Sequence, residues 1–378
     1  MVKKKLTDRE IEQLYESGTF KLTQERNDFL LPQVIDFVKN KKWMNLRPEY
    51  QRRLVWDRSK KSLFIESLIM NIPIPPIFLY EWDYSRYEVM DGQQRLSSVI
   101  DFYENRYKLT GLEQWPDLNG RSYGDLPPIL QKSLDRRRIS ATVLLVESTA
   151  FEKSPNELRK FVFERLNTGG QKLNAQELRN CVYSGEFNKL LIELAGNNLF
   201  NDLWEMPRYE DNIRGEQISK PLAENALFKR MIDCEIVLRF FAFRVKSSVK
   251  GSVKSILDNC MERYQNINDS ERKEFKNLFL TRLEACHQIF EERCFKIPEK
   301  RGVYKLSQPL FDAVMIAVDR LYENKDELIK HKKRIQSELL KRFENKDTFD
   351  LIVGRPGTST AIKERADFIE RILESHLS

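Results

Sequence analysis

Asp91-Gly92-Gln93-Gln94-Arg95 is the stretch whose residue types and spacing could most directly do chemistry. It follows an apolar run ending at Met90 and precedes Leu96, Val99, Ile100 and Tyr103, which recur at helical spacing. That pattern predicts a strand, a tight turn and a helix. The glycine permits the tight backbone, and the first turn of the helix offers unpaired N–H groups and the positive end of the helix dipole. Such a corner attracts phosphate. Arg95 then falls in the first helical turn, where a cation is disfavoured by up to about 1 kcal/mol unless an anion compensates it. The compensating charge is either a bound guest or Asp91, one turn earlier.

Two further segments carry residues of the same kind. In Arg47-Pro48-Glu49-Tyr50-Gln51-Arg52-Arg53, Pro48 extends the chain before it, and Arg52 presents a planar fork suited to phosphate or to a surface carboxylate. Tyr50 and the nearby Trp56 can anchor that loop in a core. In Asn167-Thr168-Gly169-Gly170, paired glycines let backbone approach a ligand while Asn167 and Thr168 supply donors, although a plain turn between helices has the same composition. Downstream, Asn174 with Glu177 three residues later has capping-box spacing, which accounts for Glu177 without any chemistry.

The elements that must position these groups are partly legible. Residues 59–70 read as a helix with Asp57 or Ser59 as N-cap, and the Pro73, Pro75 and Pro76 stretch forbids helix and reads as extended chain. Strands are expected at 77–80, 87–90 and 141–146, a helix at 154–163, and another from Asn174. Beyond residue 185 the patterns are long and helical, at 228–243, 256–264, 275–295, 310–322, 325–343 and 362–377. The expected fold is α+β, with an N-terminal domain over residues 1–180 and a mainly helical domain over 181–378.

Composition bounds the function classes. The chain has 378 residues, 41% of them hydrophobic, enough for one large or two ordinary domains, and its 11% aromatic content argues against general disorder. No run of 18 uncharged apolar residues occurs and the N-terminus lacks an apolar stretch, so membrane insertion and export are not expected. Five dispersed cysteines without a Cys-x-x-Cys pair fit a reduced, cytoplasmic setting. Histidine occurs only as His287, His331 and His376, which weighs against zinc and against a His-Asn-His nuclease centre. Net charge is +7, with basic clusters at Lys39, Lys41 and Lys42, at Arg136-Arg137-Arg138 and from Lys330 to Arg334. The last of these reads more readily as a solvated helix face than as a DNA-binding surface.

Taken together, Pro48-Glu49-Tyr50-Gln51-Arg52, Pro73-Ile74-Pro75-Pro76, Asp91-Gly92-Gln93-Gln94-Arg95 and Asn167-Thr168-Gly169-Gly170 with Leu173 to Asn180 resemble a known family in order and spacing. It is the GmrS-like group of domain of unknown function 262, the nucleotide-sensing part of type IV GmrSD restriction systems. The likeness continues to Gly357-Thr358-Ser359-Thr360 and the last helix. It implies a ParB/sulfiredoxin-like α+β domain with an all-helical extension, and binding and hydrolysis of a nucleoside triphosphate with Mg2+. By that resemblance Asp91, Gly92, Gln93, Gln94 and Arg95 cradle the phosphates, and Asp91, Gln93, Gln94 and Arg95 carry catalysis. Tyr50, Gln51, Arg52 and Glu177 add contacts to the nucleotide, and Asn167, Thr168 and Gly169 close the pocket; because Mg2+ bridges phosphate oxygens and needs few protein ligands, Asp91 or Glu177 is the candidate to supply one.

The implied partners are DNA, including modified DNA, and a nuclease or methyltransferase subunit, with self-assembly left open and no membrane. The leading expectation is a nucleotide-dependent sensor of an anti-phage or restriction-type defence system. The alternative is a non-catalytic DNA-binding or adaptor module on the same fold. A ParB-like metal-dependent nuclease has no carboxylate cluster behind it.

Overall fold

The structure is a computed structural model that describes residues 6–16, 23–46, 56–145, 160–162, 174–214, 217–299, 302–354 and 357–377. It has the expected α+β architecture, with a five-stranded sheet in the N-terminal region and helices in the C-terminal region. Two compact units divide at 172/173, Met1–Lys172 and Leu173–Ser378.

In the first unit, α1 (Asp8–Glu16) is followed by β1 (Gln24–Leu30), α2 (Leu31–Lys39), β2 (Met44–Asn45), α3 (Arg58–Ile69), β3 (Ile77–Asp83), β4 (Arg86–Asp91), α4 (Gln93–Tyr103), α5 (Pro128–Asp135) and β5 (Arg138–Leu144). The sheet order is β1-β5-β3-β4-β2. β3 runs parallel to β5, with Ile77 opposite Ala141, and antiparallel to β4, with Leu79 opposite Val89. Ile77, Leu79, Val89, Ile139 and Val143 point into one core with Ile65 of α3 and with Leu96, Val99 and Phe102 of α4. Leu96 and Val99, with the buried Ile100, are among the positions whose helical spacing the sequence displays.

Local chemistry sets the boundaries. Asp57 caps α3 by accepting a hydrogen bond from the Lys60 N–H at 2.8 Å. The helix ends where Asn71 takes a positive φ of 60° and the prolines begin. β1 was not anticipated: Gln24-Glu25-Arg26-Asn27-Asp28 is exposed apart from half-buried Asn27, and this edge strand is held by backbone pairing with β5. Polar edge strands carry no hydrophobic alternation to betray them.

The second unit contains α6 (Ala175–Val182), α7 (Glu186–Ala195), α8 (Ile232–Phe243), α9 (Val253–Tyr264), α10 (Asp269–Phe290), α11 (Gln308–Arg320), α12 (Lys325–Lys330), α13 (Lys332–Glu344) and α14 (Ser359–Glu374), with shorter helices and two small two-stranded ladders between them. Where a helix was expected over 228–243, Met231 adopts a positive φ of 54° and α8 begins after it. The expected 325–343 helix breaks at His331 into α12 and α13. Buried charge crosses this core. Arg179 of α6 donates to Asp258 of α9 at 2.8 Å and to Glu235 of α8 at 2.9 Å, while Arg239 of α8 donates through Nε to Asp312 of α11 at 2.9 Å. Removing one partner of such a pair strands the other away from water, at a cost of about 3–5 kcal/mol.

Candidate functional site: the turn between β4 and α4

β4 ends at Asp91 and α4 begins at Gln93, so Gly92 alone makes the corner. Its φ of 97° lies in the region that side chains disfavour, and a Cβ there would come within 2.3 Å of Ile77 Cγ2. The glycine therefore lets the turn press onto the first residue of β3. No side chain caps α4. Among the described residues no acceptor meets the N–H groups of Gln93, Gln94 or Arg95, whereas the Leu96 N–H reaches Gly92 O at 3.0 Å. Three backbone donors thus remain at the positive end of an eleven-residue helix.

Arg95 has its charge partner inside the chain. Its Nη2 lies 2.8 Å from Asp91 Oδ2 and 3.3 Å from Pro76 O, and its Nη1 donates to Pro75 O. Of the two compensating anions considered for this position, the structure supplies Asp91. The proline stretch, read in the sequence only as an extended spacer, contributes carbonyls that sequence reasoning did not connect with Arg95. Burial pulls the Arg95 guanidinium below its ordinary range while Asp91 opposes that shift. Arginine nonetheless stays charged. The Arg95 side chain is only 12% exposed, but Asp91 is 59% exposed and its second oxygen accepts no hydrogen bond among the described residues.

The two glutamines behave differently. Gln94 Oε1 accepts the Trp56 N–H at 3.0 Å. Trp56 lies four residues after Arg52, so this bond ties the chain leaving the Tyr50-Gln51-Arg52 segment to the start of α4. Gln93 is 6% exposed and its Oε1 is buried with no donor among the described residues. Leaving such an oxygen unsatisfied costs about 1–3 kcal/mol, so a water or a ligand donor is favoured there.

Tyr50, Gln51, Arg52, Asn167, Thr168 and Gly169 lie outside the described residues. So do most of the expected 154–163 helix and residue 146 at the end of the third expected strand. Glu177 belongs to the second unit, where it is fully buried and completes the capping box that its spacing foretold. Its Oε2 accepts the Asn174 N–H at 2.7 Å and sits 3.3 Å from Arg230 Nη2. Glu177 is thereby committed to holding α6. Asp91 is the acid at the β4–α4 turn itself. Among the described residues no group of three or more His, Cys, Asp or Glu side chains could hold a metal ion.

The fold and the turn define an α+β unit in which the start of α4 carries backbone N–H groups without an acceptor among the described residues, beside an exposed carboxylate. Residues 33–184 match the family model described as GmrSD restriction endonuclease, N-terminal domain. No curated protein and no solved structure matches the chain. The matched stretch contains all the motifs of the N-terminal half and ends just beyond α6. It suggests a component of a restriction-type defence system and, with it, interaction with DNA. No helix among the described residues is long and apolar enough to cross a membrane.

Proposed function

We propose that the chain is a nucleotide-binding sensor of a restriction-type defence system, and that a nucleoside triphosphate with Mg2+ is received and hydrolysed at the β4–α4 turn. The observation that carries this reading is the set of N–H groups of Gln93, Gln94 and Arg95, which meet no acceptor among the described residues, next to the exposed Asp91 carboxylate. Phosphate oxygens accept from those donors, and Gln93 uses its buried amide oxygen on a donor of the guest or of a bound water. Mg2+ typically needs only one or two protein carboxylates besides phosphate oxygens, a role the free oxygen of Asp91 fits. Arg95 acts as a positioning residue: it fixes Asp91 and ties the turn to Pro75 and Pro76. By resemblance, Tyr50, Gln51 and Arg52 add nucleotide contacts, and Asn167, Thr168 and Gly169 close the pocket. No residue is assigned as general base.

The test is binding of, and phosphate release from, each of the four common ribonucleoside triphosphates, with and without plain or modified DNA. Native protein should be active with at least one of them. Asp91→Asn should lose at least tenfold of the Mg2+-dependent release while still binding the nucleotide, and Gln93→Leu should weaken binding. Absence of binding by the native chain, or full activity in both variants, overturns the proposal. The internal pairing of Arg95 favours a second reading, an adaptor that grips DNA in the cytoplasm with a nuclease or methyltransferase partner and is indifferent to nucleotide. Salt-dependent DNA affinity unchanged by any triphosphate supports that alternative.

A further inference from the structure

The helices of the second unit neutralise many of their surface cations internally. Arg208 pairs with Asp202, Arg272 and Lys276 with Glu193, and Lys246 with Asp367. The same holds along the flanks of α13, where Lys332 reaches Glu291 at 2.7 Å and Arg342 reaches Glu338 at 2.9 Å. Between those flanks the pattern stops. Lys330, Lys333, Arg334 and Lys341 are exposed, and among the described residues no carboxylate lies within the 4.0 Å of an ion pair from any of them. Lys333 is felt by Glu291, but only at longer range and behind Lys332.

Geometry makes these cations a row. At about 100° per residue, Lys333, Arg334, Ser337 and Lys341 occupy one side of α13, while Ile335, Leu339 and Phe343 are buried on the other. Glu344, at the C-terminal end, is the one acid on that side. The row from Lys333 to Lys341 is about 12 Å long at 1.5 Å per residue. One strand of duplex DNA places a phosphate about every 3.4 Å of axis, so the row matches about three to four phosphates. The helix dipole opposes the arrangement, because α13 has no acid in its first turn and three cations there, of which Lys332 alone has an ion-pair partner among the described residues.

From these observations we infer that the exposed side of α13, Lys333, Arg334 and Lys341, is a contact surface for the phosphate backbone of double-stranded DNA. The choice of duplex DNA among polyanions rests on the restriction-system reading above, and the surface supplies grip without base recognition. Exposed cations without an ion pair among the described residues occur elsewhere on the unit too, at Lys229, Lys250 and Lys273; what favours contact over simple solvation here is that three of them share one side of a single helix.

The experiment measures anisotropy of a labelled DNA duplex of about 25 base pairs with the full chain, without nucleotide, between about 50 and about 200 mM salt. The variant Lys333→Glu/Arg334→Glu/Lys341→Glu is compared with Lys229→Glu/Lys250→Glu/Lys273→Glu, which reverses three exposed cations elsewhere on the same unit and changes net charge equally. A Gln version of the first variant guards against misfolding, with circular dichroism as the check. Expected are a loss of at least tenfold and a drop of about 2 to 3 in the magnitude of the log–log salt slope for the α13 variants, with the control within threefold of native. Equal losses in both sets, no binding by the native chain, or binding to polyglutamate in preference to the duplex would each overturn the assignment. Nucleotide is absent throughout, so failure here leaves the β4–α4 proposal standing, and failure there leaves this one.

Discussion

The starts of α4 and α13 present the same electrostatic problem and solve it differently. Both helices lack an acid in the first turn and both place cations there. At α4 the cation is Arg95, folded onto Asp91 and the Pro75 and Pro76 carbonyls and only 12% exposed. At α13 the cations Lys333 and Arg334 are exposed, with no carboxylate in reach among the described residues. The first arrangement spends its charge on the fold and leaves backbone N–H groups without an acceptor among the described residues. The second leaves its charge itself available. A basic residue at a helix start thus says little about ligands until its surroundings are known.

The sharpest way to break the comparison is at the corner itself. Gly92→Val places a branched Cβ at positive φ and against Ile77, and should destabilise the first unit by about 3 kcal/mol, read as a lower denaturant midpoint at unchanged slope. An unshifted midpoint would mean that the turn does not press on β3.

Arg95→Ala comes next. It removes the ion pair and both carbonyl contacts, and because Asp91 is largely solvated the loss falls mainly on the bonds that the 12%-exposed guanidinium donates to Pro75 and Pro76. A destabilisation of about 2 kcal/mol is expected by chemical denaturation. A neutral effect would show that Arg95 is not serving the fold and would return it to the residues proposed to meet a nucleotide.

At α13 the sign reverses. Arg334→Glu puts an acid in the third helical position, where the dipole favours it, and should raise stability by about 0.5 kcal/mol while weakening duplex binding. Thermal melting and anisotropy on the same sample check both halves. Loss of stability would mean that Arg334 has a structural partner and that the contrast between the two helices is false.

Some of the site could be read from residue order because the interactions are local. The helical spacing of Leu96, Val99 and Ile100 predicted α4, the glycine predicted the corner, and the Asn174–Glu177 spacing predicted a cap whose two partners are three residues apart. The motif order also pointed to the family that residues 33–184 match. The carbonyl partners of Arg95 were not legible, since Pro75 and Pro76 lie 20 and 19 residues away and reach it only once β3 and β4 have paired. The Gln94–Trp56 bond spans 38 residues and the Arg179–Asp258 pair 79, and neither leaves a periodic trace.

Sequence by itself therefore determined the helix starts, the turn and the positions of the cations, because backbone geometry and side-chain period act over a few residues. Only the tertiary structure decided which cations were already spoken for. Charge neutralisation depends on distances of about 4 Å between groups that chain order can separate by dozens of residues.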